Sequence, residues 1–93
     1  MFVKISNKEM IPVDDIILIT TYEKANIKKN IAERRNKDNS KVINFAGRKK
    51  ILGVIFTKSG YIYLTNVAPI TLLKRIDSLE NVIRNYKEEE WWF

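Results

Sequence analysis

Residues Val42–Thr65 read VINFAGRKKILGVIFTKSGYIYLT, and the fold turns on how this stretch is read. Apolar runs at Val42–Phe45, Ile51–Phe56 and Tyr61–Leu64 are separated by Ala46-Gly47-Arg48-Lys49-Lys50 and by Lys58-Ser59-Gly60. Each run is β-branched or aromatic and too short for a helix, so each is read as a strand. Three consecutive strands pair most simply as an antiparallel meander. Val54, Phe56, Tyr61 and Tyr63 then supply the packing of one sheet face. The first break sets three adjacent cations behind a glycine, which adopts a positive φ without the steric cost of a Cβ. A constrained loop carrying Arg48, Lys49 and Lys50 is the sharpest chemical feature of the chain.

Toward the N-terminus, Met1–Ile5 reads as a strand and Met10–Val13 as a short return. Pro12 holds that return at an edge or an end, because it has no amide to donate. Asp14-Asp15 either cap one helical turn or open a tight loop. Ile16–Thr20 (IILIT) is unbroken and branched, the pattern of a fully buried strand. A helix follows over Ala25–Lys37, capped by Asn26 or starting near Lys24. Ile27 and Ile31 form its thin apolar stripe, and Lys28, Lys29, Arg34 and Arg35 cover much of the rest.

Beyond Thr65–Pro69 a second helix is expected from Ile70 or Thr71 to about Tyr86. Leu72, Ile76, Leu79, Ile83 and Tyr86 recur there at spacings of 4, 3, 4 and 3. Such a stripe serves the chain's own core, a second subunit, or both. Leu72, Ile76, Leu79 and Ile83 are therefore candidate oligomer contacts. The expected organisation is one domain over residues 1–87 and an acidic-aromatic tail, EEEWWF, over 88–93. The expected fold class is α+β: a small, mostly antiparallel twisted sheet with a basic helix and a C-terminal helix. A chain of 93 residues forms at most two layers unless a partner adds to them.

Composition narrows the function. The chain has no cysteine and no histidine, which excludes a disulfide scaffold and a zinc finger and suits a reducing cytoplasm. We expect no membrane span, no cofactor, no metal and no catalytic residue. Ser6, Ser40, Ser59 and Ser78 lie in turns or helix without a nucleophile motif around them. The net charge is +6, unevenly spread. From Lys24 to Lys50 there are ten bases and two acids, a net of +8, while the remainder has seven bases and nine acids. A field this lopsided favours a polyanion or an acidic protein surface. Arg48, Lys49 and Lys50 suit phosphate and guanine edges, and Lys28, Lys29, Arg34 and Arg35 extend that surface. Tyr61 and Tyr63 have the shape to stack bases, but sheet packing is their better reading.

The opening MFVKISNKEMIPVDDIILI, the segment VINFAGRKKILGVIFT and above all YIYLTNVAPITLLKR resemble the extracellular matrix regulatory proteins of the RemA/RemB type. The likeness runs from Met1 to about Arg75, and Thr71-Leu72-Leu73-Lys74-Arg75 is closer to the RemB-like branch. The resemblance implies a fold similar to part of the LytTR DNA-binding domain and a cytoplasmic transcription regulator of biofilm matrix genes. It also implies closed rings of identical subunits that bind duplex DNA. Arg48 and Lys49 occupy the place of that family's DNA-binding basic pair. A further DNA-binding arginine of the RemA branch is matched by Asp15, an acid that would repel phosphate. The second functional class is a structural or protein-interaction oligomer whose basic face meets an acidic partner.

Overall fold

The computed structural model describes residues 1–78. β1 (Phe2–Lys4) and β2 (Met10–Pro12) form an antiparallel hairpin, with Pro12 the last paired residue of β2. A single 3-10 turn at Val13–Asp15 leads into β3 (Ile16–Thr21), and α1 (Ala25–Lys37) follows. Lys24 stands at the cap of α1 and makes no side-chain capping bond. The chain continues through β4 (Val42–Asn44), β5 (Gly53–Thr57) and β6 (Ile62–Thr65). A second helix, α2, occupies 69–78. The architecture is α+β with two helices and two sheets, mostly antiparallel.

The larger sheet has the order β3-β5-β6-β4. β3–β5 and β5–β6 are antiparallel, whereas β4 lies parallel to β6. The meander is thus half correct: β5 and β6 are its hairpin, and β4 sits on the far edge of β6. The physical reason is the segment between β4 and β5. Phe45 N–H donates to the Leu64 carbonyl at 2.7 Å, and Leu52 N–H donates to the Thr65 carbonyl at 2.9 Å. Successive carbonyls of a strand point to opposite edges. The segment therefore straddles the end of β6 with one foot on each edge. Tight two-residue turns are the favoured hairpin closures, and this longer break makes a bridge instead.

Alternation along β5 and β6 sorts their side chains onto two cores. Val54, Ile62 and Leu64 are buried against Ile27 and Ile31 of α1, with Phe56 and Val42 packed around them. On the other face Ile55 is buried with Val3, Ile5, Ile11 and Leu72, and Tyr63 and Phe45 pack against that group. The molecule accordingly has three layers, not two: α1, the sheet, and the hairpin with α2. Short strands that are apolar on both faces make this possible in a small chain. Val54 pairs with Leu64 and Ile55 with Tyr63, so Val54 and Phe56 face away from Tyr61 and Tyr63 and do not share their surface.

Two further expectations are corrected. β3 is an edge strand and not a buried one. Its register shifts between Ile16 and Leu18, and Ile17 and Leu18 are 64% and 47% exposed. Leu72 is fully buried in the chain's own core, which leaves none of it to meet another subunit. Ile76 packs at the edge of that core. Leu79 and Ile83, with the tail, lie outside the described residues.

One buried hydroxyl joins the layers. Thr65 Oγ1 donates to the Ile5 carbonyl and accepts from Val67 N–H at 3.1 Å. It pins the end of β1 to the end of β6 and sets the turn Ser6–Lys8 beside the bridge. Thr65→Val keeps the shape but leaves both backbone groups without this partner. We expect a loss of about 1–3 kcal/mol in urea unfolding. A loss below about 0.5 kcal/mol, the range of neutral surface changes, would show that the bond does not hold the layers together.

Candidate functional site

The bridge is built to hold its apex still. The Asn44 side-chain oxygen accepts from Ala46 N–H at 2.8 Å. Ala46 is buried, and Lys49 N–H donates back to its carbonyl at 3.1 Å. The resulting turn places Gly47 at φ 63°, a backbone that side chains adopt at a cost. Arg48 and Lys49 ride on this turn, past the end of β6, and both are exposed.

The neighbouring layers bring further groups to the same end of the sheet. On the hairpin side, Ser6–Lys8, Asn44–Lys49 and Asn66 line a groove of about 360 Å³. On the helix side, Glu23 lies between two lysines: Lys28 Nζ is 3.8 Å and Lys50 Nζ 4.0 Å from its carboxylate oxygens. Such exposed pairs contribute about 0–1 kcal/mol each, so they link α1 to the bridge without neutralising it firmly. Lys28 also stands 5.2 Å from the centre of the Tyr22 ring. Arg48, Lys49 and Lys8 make no ion pair among the described residues.

The predicted cations therefore divide. Arg48, Lys49, Lys50 and Lys28 gather at one end of the sheet, with Lys29 exposed beside Lys28. Arg34 and Arg35 lie about 10 Å further along α1, by helix rise. Arg34 lines a separate hollow with Asn30, Glu33, Lys37 and Phe56. Sequence reasoning missed Lys8. Nothing in Ser6-Asn7-Lys8 beyond its turn character signals that it comes to face Arg48 and Lys49.

Asp15 has a different place from the one expected of it. Its carboxylate accepts from Ser59 N–H at 3.1 Å and from Ser59 Oγ at 2.7 Å, and its carbonyl accepts from Lys58 N–H at 2.8 Å. It braces the β5–β6 turn. Ile16 pairs with Thr57 at that end of β5, whereas Gly53 pairs with Thr65 at the other. Five residues of strand separate the two ends, about 13 Å. Within the chain, then, Asp15 stands at the opposite end of the sheet from Arg48 and Lys49.

The tyrosines serve packing. Tyr61 and Tyr63 stack with centroids 6.0 Å apart and planes 2° from parallel. Phe45 meets Tyr63 at 5.5 Å, and Lys41 Nζ lies 4.2 Å from the Tyr61 ring centre.

Fold and site together define a small α+β protein with a cationic surface across one end of its sheet. A family model described as extracellular matrix regulatory protein A-like matches residues 2–76. The chain belongs to this RemA-like family, whose description is regulatory and not that of a known enzyme family. The match does not separate the branches of the family. No curated protein matches the chain. Among the described residues, no helix is long and apolar enough to cross a membrane.

Burial, and next the Asp15 carboxylate, push the Tyr63 phenol above its ordinary value. The folded chain thus holds this proton more tightly than the unfolded chain, whose tyrosine titrates at about 10. The contribution to stability is complete below that pH and is lost as pH rises through the higher folded value. Urea midpoints should fall above about pH 10, and fall less in Tyr63→Phe. Equal alkaline slopes in the two proteins would refute this role for Tyr63.

Proposed function

We propose that this chain is a homo-oligomeric, DNA-binding regulator of biofilm matrix genes. The observation that carries the reading is the bridge across β6, which fixes Arg48 and Lys49 beyond the end of the strand with no ion pair among the described residues. Two cations held close on a rigid turn repel each other, and an anion between them relieves that cost. Arginine meets a phosphate with a planar fork and lysine with a mobile point charge. Lys50 and Lys28 widen the surface toward α1. The matrix-regulator description of the family supports the biological setting.

Phosphate contacts and DNA shape carry most of the affinity in this reading. No described helix has the layout of a recognition helix, and the cations lie across the end of a sheet. One such patch is modest, so several copies acting together are what make binding tight. Self-association is supported by the open side of β3. Ile17 and Leu18 stand exposed there, with Leu73 of α2 also exposed and lining the same hollow. An edge strand with apolar side chains and backbone groups that are unpaired among the described residues suits pairing with a second copy.

Arg48→Ala with Lys49→Ala should weaken binding to a duplex at least about tenfold at physiological salt, and reduce the salt slope by about two. Fluorescence anisotropy across a salt series checks both, and unchanged affinity in the double variant would overturn the reading. Ile17→Lys should lower the solution mass measured by light scattering. An unaltered mass with an intact fold would exclude the β3 side as the contact.

A further inference from the structure

We propose that the groove between the Ser6–Lys8 turn and the Asn44–Lys49 bridge is a seat for one backbone phosphate of bound DNA. The inference rests on the DNA-binding reading and adds Ser6, Lys8 and Asn44 to the groups that carry it.

Charge is the first ground. Lys8, Arg48 and Lys49 all line this groove, and no acid lines it. The hollow beside Arg34 differs, because Glu33 shares its wall. Three cations around one concave space lower each other's stability until an anion enters.

The second ground is the direction of the polar groups. Ser6 Oγ accepts from Lys8 N–H at 3.1 Å, so the oxygen is turned to the backbone and the hydroxyl proton remains to donate. Asn44 spends its side-chain oxygen on Ala46 N–H at 2.8 Å, so its amide nitrogen is the end left to offer. Ser6 and Asn44 both line the groove, and each keeps a donor that takes no partner among the described residues. Donors with charge behind them are the partners an oxyanion takes.

The third ground is rigidity. Ser6 is 4% exposed and Ala46 5%. Thr65 ties the Ile5 carbonyl to the end of β6, and the Gly47 turn fixes the opposite wall. Both walls thus stand in place before a ligand arrives, which removes part of the ordering cost of binding.

The test compares Lys8→Ala and Asn44→Asp with Lys58→Ala, which removes one exposed cation at the far end of the sheet. Asn44→Asp keeps the oxygen that caps Ala46 N–H and exchanges the donor for an acid. Thermal melts check that each variant is folded. In anisotropy titrations with a duplex of about 40 base pairs, Lys8→Ala and Asn44→Asp should each lose about tenfold in affinity, and Lys8→Ala should reduce the salt slope by about one. Lys58→Ala should stay within about twofold of the parent.

If Lys8→Ala and Asn44→Asp behave like Lys58→Ala while the Arg48/Lys49 double variant fails to bind, the seat is wrong and the DNA-binding reading stands. If the parent protein binds no duplex, that reading fails, and inorganic phosphate then tests the groove by itself. A shift of the Asn44 side-chain amide in 15N spectra would show a seat for free phosphate and overturn the DNA source. No shift would overturn the seat altogether.

Discussion

β6 is hydrogen-bonded along both edges, and the rest of the chain depends on that constraint. Its Leu64 and Thr65 carbonyls receive the two feet of the bridge, one from each side. This puts β4 parallel on one edge and β5 antiparallel on the other. A strand so placed buries both faces, and Ile62 and Leu64 accordingly carry the core beneath α1. Each bond contributes only about 1 kcal/mol net, yet a buried group left unpaired costs about 1–3 kcal/mol. That asymmetry is what makes the bridge a fixed part of the fold. The Arg48-Lys49 turn takes its place from the two bonds at its base and its shape from the bonds that Ala46 makes with Asn44 and Lys49.

The same constraint explains why charge is concentrated where it is. The end of β6 is where β3 hands the chain to α1, where β4 leaves the sheet, and where the hairpin turn is pinned by Thr65. Lys28, Lys50, Arg48, Lys49 and Lys8 reach that end from three layers. Screening at physiological salt acts over about 8 Å, and Arg34 and Arg35 stand about 10 Å further along the helix axis than Lys28, more than one screening length away. Charge counted along the sequence merges the two sets, whereas distance separates them.

Local features were legible in the sequence. The bounds of α1 follow from Ile27 and Ile31 among good helix formers, the end of β2 from Pro12, and the bridge turn from Gly47. Each of these is set by neighbours within a few residues. The pairing of β4 was not legible, because three residues carry little register information and the alternative, a meander, satisfies the same hydrophobic pattern. IILIT read as buried since both its faces are apolar. Only the register shift at Ile17 and the absence of a second neighbour among the described strands show that it is an edge. Lys8 faces Arg48 across some forty residues of sequence, through a hydroxyl bond at Thr65 that no periodicity announces.

The open edge and the cationic surface stand in a relation that bears on assembly. β3 runs along one side of the sheet, and the cations lie across the ends of the strands. Joining two copies β3 to β3 about a two-fold axis would run the strands antiparallel, so the cationic ends would point to opposite poles. A head-to-tail contact repeated around a ring would instead keep every cationic end on one rim. Only the second arrangement lets one continuous duplex touch several copies at once, which is where linked weak sites gain over single ones. In the proposed DNA-binding oligomer, the geometry of the subunit would tie the symmetry of the assembly to the way it meets the duplex. A two-fold dimer closed through β3 would bind as separate ends, with the salt slope of one patch. A ring would bind with a slope that grows with the number of subunits in contact.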